Sequence, residues 1–175
     1  STCKSFAPIA DEQSRILILG SMPGIKSLEQ QEYYAHPQNR FWRLLALLLQ
    51  EDVPQDYSAK QALLHSIIGA GDTLGYCERE GSLDSNIKNE APNAVVELVS
   101  KLPHLQAVVC NGGKAAAAFK KYFAKKCLSN ANFLSAVYKS CQRAPAFGGF
   151  GRALAGYFAI FSISEVLQGV KNTIL

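Results

Sequence analysis

Two short apolar runs, each stopped by glycine, constrain this chain more than anything else in it. Arg15-Ile-Leu-Ile-Leu19 ends at Gly20, and Leu105 to Cys110 ends at Asn111-Gly112-Gly113. A strand that is apolar on both faces has no solvent side, so both runs read as buried strands of a parallel sheet. The second run leads into an alanine-rich stretch, Lys114 to about Lys125, which predicts a single helix. Phe41 to Leu49 has the length and leucine content of another, with Pro54 beyond its end. Ser58 is placed to cap a helix over Ala59–Ile67. Gly69, Gly71 and Gly75 punctuate an irregular strand-loop region running to Cys77. Strand, turn and helix in alternation predict an α/β fold with a mostly parallel central sheet, in one domain over residues 1–175. Ligands of such sheets sit at the carboxyl ends of the strands, which puts Gly20–Gly24 and Asn111–Gly113 on one rim.

Composition narrows the class. At 175 residues, 48% hydrophobic and 18% charged, the chain can bury a real core and does not have the make-up of a disordered one. No basic stretch followed by an apolar run opens the sequence, so no secretory signal is expected. The apolar run Ala153 to Ile163 is too short to span a bilayer. Cys3, Cys77, Cys110, Cys127 and Cys141 lack C-x-x-C spacing, which argues for free thiols in a reducing, cytoplasmic setting. No metal site or other cofactor is expected.

The net charge of +4 is unevenly spread. No acidic residue lies between Glu97 and Glu165, while Lys101, Lys114, Lys120, Lys121, Lys125, Lys126, Lys139, Arg143 and Arg152 all do. That imbalance points to a polyanionic partner; the alternative is a set of solvated helix faces. On one helix, Lys114, Lys121 and Lys125 would share a face and could meet a DNA backbone, with Lys120 at its edge.

The stretch "GSMPG" (Gly20–Gly24), followed by "YYAHPQNRFW" (Tyr33–Trp42), resembles the uracil-DNA glycosylase superfamily. The likeness is closest to its hypoxanthine (deoxyinosine) DNA glycosylase branch. "CEREGSLDSNIKNEAPN" (Cys77–Asn93) and "NGGKAAAAF" (Asn111–Phe119) look like the same branch, in the same order. The resemblance implies a three-layer α/β/α domain and a monomeric, cofactor-free enzyme acting on DNA in duplex or single strand. It would remove hypoxanthine, with uracil a second substrate, and leave an abasic site. In mismatch-specific relatives the first loop carries an Asn that positions water; here Met22 stands at that place and cannot hold one. In the deoxyinosine branch the asparagine of the HPxNxFW stretch is catalytic, which here is Asn39, and Tyr34 matches the aromatic that stacks on the extruded base.

The residues themselves suit those roles. A base must leave the duplex to be cleaved, at roughly a few kcal/mol, and an aromatic face returns about 1–3 kcal/mol. Tyr34 can supply that face, with Tyr33 or Phe41 as substitutes. An asparagine amide both accepts and donates, so Asn39 can orient a water without titrating, or can merely cap the helix near Phe41. Gly20, Ser21, Met22, Pro23 and Gly24 form a turn whose backbone can come close to a base or phosphate. Asn111 ends a strand at the rim and can read a base or shape a turn. Asp72 can assist as a base or belong to a turn; His36 can take part or be a loop residue. Phe41 and Trp42 read as core, and Ser82 with Asp84 as the cap and first turn of a short helix.

The branch's second motif, Leu-Pro-Ser-Thr-Ser-Pro, is absent. The corresponding region reads "VYKSCQRAPAFGGFGRALAGYF". Codons for Cys141 to Pro145, read one nucleotide earlier, can spell Leu-Pro-Thr-Ser-Pro, so a frameshifted tail is one explanation. The departure keeps a second class open, a catalytically impaired DNA- or base-binding member. A nucleotide enzyme using "GSMPG" as a phosphate cradle ranks last, without a P-loop lysine or G-x-G-x-x-G.

Overall fold

The computed structural model describes residues 1–64, 68–105, 107–128 and 134–138. The end of the helix predicted to Ile67, together with Lys139, Cys141, Arg143, Arg152 and the departing tail, lies outside them. The elements in chain order are β1 (Thr2–Lys4), β2 (Ile16–Gly20), α1 (Ile25–Gln30), α2 (Phe41–Leu49), α3 (Tyr57–Leu64), β3 (Ile68–Asp72) and β4 (Leu74–Glu78). A short 3₁₀ turn (Asp84–Asn86), β5 (Lys88–Pro92), α4 (Val95–Ser100), β6 (Ala107–Asn111), α5 (Gly113–Tyr122), α6 (Ala124–Leu128) and β7 (Leu134–Tyr138) follow.

The main sheet has the order β3-β2-β6-β7, parallel throughout. The two apolar runs are therefore neighbours, as their composition predicts. Their alternate side chains serve two cores. Ile16 and Ile18 pack with Phe41, Trp42 and Leu45 of α2 and Leu64 of α3. Leu17 and Leu19 face the other way, onto Val95 of α4, Ala115 and Phe119 of α5, and Cys127 of α6. Helices on both faces of one sheet make the three-layer α/β/α architecture.

Several local expectations change. Helix α3 begins two residues early because Asp56, not Ser58, caps it: the Ala59 N–H donates to Asp56 Oδ1 at 2.8 Å. The glycine-punctuated region forms the strands β3 and β4, and its irregularity is confined to the register shifts between β4 and β5 at Leu74–Tyr76 and Tyr76–Glu78. Gly69 and Gly71 make room for the segment Pro8–Ala10, which crosses them, while Gly75 faces Asn93; a Cβ on Gly69 would come within 2.9 Å of the Ala10 Cβ. There Ile9 and Ala70 exchange both backbone hydrogen bonds, each 2.8 Å. The alanine-rich helix is two helices, because the chain turns at Phe123 and brings Phe123, Ala124 and Cys127 onto the second core.

A second, antiparallel sheet, β1-β4-β5, is present that no apolar run or spacing predicts. The chain passes from the main sheet into it at Thr73. That residue's N–H and hydroxyl both donate to the carbonyl of Gly20, at 2.8 and 3.1 Å.

Candidate active site

The carboxyl ends of β2, β3 and β6 open on a cavity of about 530 Å³, within the size range of small-molecule sites. The Gly20–Gly24 turn, Tyr33, Tyr34, His36, Asn39, Asp72 and Asn111 all line it. Residues far apart in sequence thus meet on the rim where the strand order places ligands.

The turn after β2 is held from beneath. Thr73 fixes Gly20, the Leu74 N–H donates to Ser21 O at 3.1 Å, and the Ser21 hydroxyl donates to Asp84 Oδ1 at 2.6 Å. Arg79, only 2% exposed, donates through Nη2 to the carbonyl of Pro23 at 2.5 Å, while its Nε and Nη1 have no partner. A buried guanidinium is an expensive way to secure one carbonyl, since two of its nitrogens lose water without gaining a partner. Met22 packs into a small core with Cys3, Leu74 and Cys77, an apolar wall rather than a water-holding group.

The aromatic loop is pinned as well. The Trp42 indole N–H donates to Tyr33 O at 3.0 Å, the Tyr33 hydroxyl donates to Ala7 O at 3.1 Å, and the Ala35 N–H donates to the buried Ser27 hydroxyl at 3.1 Å. Tyr33, Phe41 and Trp42 are core residues, as expected for the last two. Tyr34 sits half-buried in the left-handed region at φ 53°, rare for a residue with a side chain. Phe41 stacks on one face of its ring at 3.8 Å and 17°, and its hydroxyl accepts from Asn111 Nδ2 at 3.4 Å. Burial, then the charge of Asp72, raises the Tyr34 hydroxyl above the usual phenol range, so it stays protonated.

Asn39 is exposed, and its Oδ1 accepts from the Phe41 N–H at 2.9 Å. It therefore does cap α2, while its amide NH₂ has no partner among the described residues. His36 Nδ1 accepts from the Gln38 N–H at 3.1 Å within the same turn. Asp72 is 6% exposed, and its Oδ2 is buried without a partner. Burial raises its carboxyl, the charge of Asp84 raises it further and Arg79 opposes both, leaving a pKa of about 7.

Ser82, Asp84 and Lys26 also line the cavity, a placement that spacing along the chain does not reveal. The Lys26 ammonium is turned to Glu29 at 3.3 Å. Arg79 is equally hidden in the sequence, since its signal is burial, which no spacing rule displays. On the basic side, Lys114 is paired with Glu90 on β5, which also accepts from the Tyr122 hydroxyl at 3.1 Å. The Lys114 pairing holds Glu90 below the ordinary carboxyl range. Lys121 lies over the Tyr122 ring at 5.0 Å, and Lys125 stands on α6, so the three lysines do not share one helix face. Among the described residues no group of three metal-ligating side chains occurs, and no helix is long and apolar enough to cross a membrane.

A family model for the Uracil DNA glycosylase superfamily matches residues 7–172. The chain belongs to that superfamily. Two relatives, both named hypoxanthine DNA glycosylase, come from Methanosarcina barkeri (strain Fusaro) and Methanosarcina acetivorans. Each is 40% identical, over 114 and 115 residues respectively, 64% of this chain and 72% of theirs. A solution NMR structure from Methanosarcina acetivorans, provisionally assigned as a uracil DNA glycosylase, is similar with a TM-score of 0.67 and 28% identity. The similarity covers 96% of this chain and 99% of that one. The superfamily match thus extends through the segment where the second motif departs.

Proposed function

We propose that this member of the uracil DNA glycosylase superfamily excises hypoxanthine from DNA by hydrolysis, leaving an abasic site. As a DNA glycosylase it acts in base-excision repair, and DNA is its substrate. The observation that carries the finer reading is the joint presence, in one cavity, of an amide with a free NH₂ (Asn39), a carboxyl with one buried, unpartnered oxygen (Asp72) and a ring with one face already stacked (Tyr34).

In this mechanism the flipped base meets the face of Tyr34 that Phe41 leaves free, between the Gly20–Gly24 turn and Asn111. Asn39 orients a water through its amide. The water oxygen bonds to C1′ as the C1′–N9 bond breaks, and the electron pair of that bond leaves with the base. The transition state carries oxocarbenium character, as in glycoside hydrolysis. Asp72, with a pKa of about 7, accepts the proton the water loses, and the departing base takes one from solvent. Uracil can enter the same cavity as a second substrate, with the oxygen at C1′ delivered in the same way.

The enzyme is proposed to be monofunctional. Lys26 is the only lysine at the cavity among the described residues, and its ammonium is turned to Glu29. Incubating labelled deoxyinosine DNA with the protein and then with alkali tests the reading. Breaks at the deoxyinosine that need the alkali support it; intact strands after alkali would leave only base or DNA binding. Trapping of a covalent adduct by borohydride would overturn the hydrolytic, monofunctional step.

A further inference from the structure

The end of β4 departs from the usual rule that the inward positions of a strand are apolar. Cys77 is buried, Glu78 exposed, Arg79 buried and Glu80 exposed, so strand alternation turns the arginine inward between two glutamates that face water. Its backbone is fixed there: the Arg79 N–H donates to Ser1 O at 2.9 Å, and the Ser1 hydroxyl donates to Arg79 O at 3.0 Å. A guanidinium does not lose its proton in a protein, so burial places a permanent charge beneath the Gly20–Gly24 turn.

Three buried side-chain atoms among the described residues have no hydrogen-bond partner: Arg79 Nε, Arg79 Nη1 and Asp72 Oδ2. Two are cationic donors, the third is a carboxyl oxygen, and both residues flank the same turn. Arg79 holds Pro23 through Nη2, and Asp72 ends β3 opposite Gly20 on β2. Buried opposite charges ordinarily close into a salt bridge, which would hold a carboxyl ionised and make it a poor proton acceptor. With no cation near it, burial would keep the carboxyl protonated, and it could accept nothing. A cation held off the carboxylate lies between these two cases.

We propose that Arg79 is a positioning residue for excision: tethered to the Pro23 carbonyl and so kept from a salt bridge, its fixed charge lets Asp72 alternate between its two protonation states. The proposal rests on the reading of Asp72 as the base. The other groups facing Asp72 cannot take this part. Asp84 adds a like charge, and it is exposed and accepts from the Ser21 hydroxyl. Burial, then the charge of Asp72, raises the Tyr33 and Tyr34 hydroxyls, so both stay protonated. His36 and Lys26 line the same cavity, but both are exposed, and Lys26 is turned to Glu29. Next to Arg79, burial raises the Cys77 thiol against the pull of the guanidinium, so it stays neutral where Asp72 titrates.

The first arm of the test needs no catalysis. The NMR resonance of the Arg79 Nε–H is followed across neutral pH in the parent and in Asp72→Asn. In the parent it should shift with a midpoint of about 7, the value of the Asp72 carboxyl, and in Asp72→Asn it should stay flat. A flat resonance in the parent, or a shift that survives in Asp72→Asn, would overturn the proposal. The second arm reads the pH profile of single-turnover excision of deoxyinosine. In Arg79→Gln, which offers Pro23 an amide donor without a charge, the rising limb should move up by about one pH unit or more. Arg79→Lys keeps the charge and should hold the limb near the parent's. The same limb in both variants would overturn the proposal, because a merely structural role lowers the rate without moving the limb. Should neither variant fold, or should the protein excise nothing, the resonance still decides whether Arg79 and Asp72 are coupled.

Discussion

Gly20 and Asp72 stand side by side at the ends of neighbouring parallel strands, and a methyl group on Gly20 would lie 2.8 Å from Asp72 Oδ1. Real Cβ atoms do not come so close, so in Gly20→Ala the buried carboxyl must move. Excision should fall about a hundredfold, since a displacement near 1 Å is enough to cost that much at a reacting centre. Binding of DNA containing an uncleavable analogue should change far less. Loss of binding in proportion to rate would mean that the alanine disrupts the turn and not the carboxyl.

Asn39 carries two duties on one side chain. Asn39→Ala should lose roughly 10²–10⁴ in single-turnover rate if the amide positions water. The capping role that the sequence leaves open is present as the bond from the Phe41 N–H, so the substitution should also cost about 1 kcal/mol of stability for a lost cap. Asn39→Asp retains the cap and can accept from the water, so it should keep the stability and part of the rate. Urea denaturation alongside kinetics separates the two effects, and parent-like rates in Asn39→Ala would reduce the residue to a cap.

The Asp72 carboxyl makes a prediction that needs no substrate. Its pKa is about 7 in the folded chain against 3.8 unperturbed. Between those values the native state holds a proton that the unfolded chain has released. Stability therefore falls as pH rises through that window, by about 4 kcal/mol in total, and levels off above it. Asp72→Asn removes the drop. The variant should be more stable than the parent at about pH 8 and should lose that advantage near pH 4, as read by urea midpoints. In the same variant the excision rate should lose the limb that rises through about pH 7 in the parent. Parallel pH profiles would rule out Asp72 as the base.

The basic residues should now divide. Replacing Lys121 and Lys125 with Ala should lower the slope of log affinity against log salt by about 0.9 for each phosphate no longer neutralised, equally for all sequences. Lys114→Ala should leave the slope nearly unchanged and lower stability, because its ammonium is engaged with Glu90. A slope that responds to Lys114 alone would reverse this assignment.

The legible part of the fold is whatever burial writes into composition. Ile16–Leu19 and Ala107–Val109 can be paired from their two-sided apolarity, and Phe41–Leu49 recognised from its leucines. The strand β5, Lys-Asn-Glu-Ala-Pro, cannot, because an exposed edge strand needs no apolar pattern. Nor can the break at Phe123, since alanines and lysines favour helix on both sides of it and only the packing of Phe123 and Cys127 decides. In the site, Asn39, Tyr34 and Asn111 are visible as types that suit the chemistry. Arg79 under Pro23 and the unpartnered Oδ2 of Asp72 are facts of burial between segments, and sequence spacing does not encode them.

The crossing of Pro8–Ala10 over β3 bears on how this protein keeps from sticking to itself. Among the described residues β3 is the edge of the main sheet, and its Ile-Gly-Ala-Gly run is uncharged and apolar, the kind of edge that invites another chain's strand to pair with it. Ile9 occupies both hydrogen-bonding positions of Ala70, so that template is blocked at its middle residue. Deleting Pro8–Ala10 would therefore do more than shorten a connection. It would uncover an adhesive edge, and the shortened protein should appear as soluble aggregates or inclusion bodies long before any fault in its chemistry could be measured.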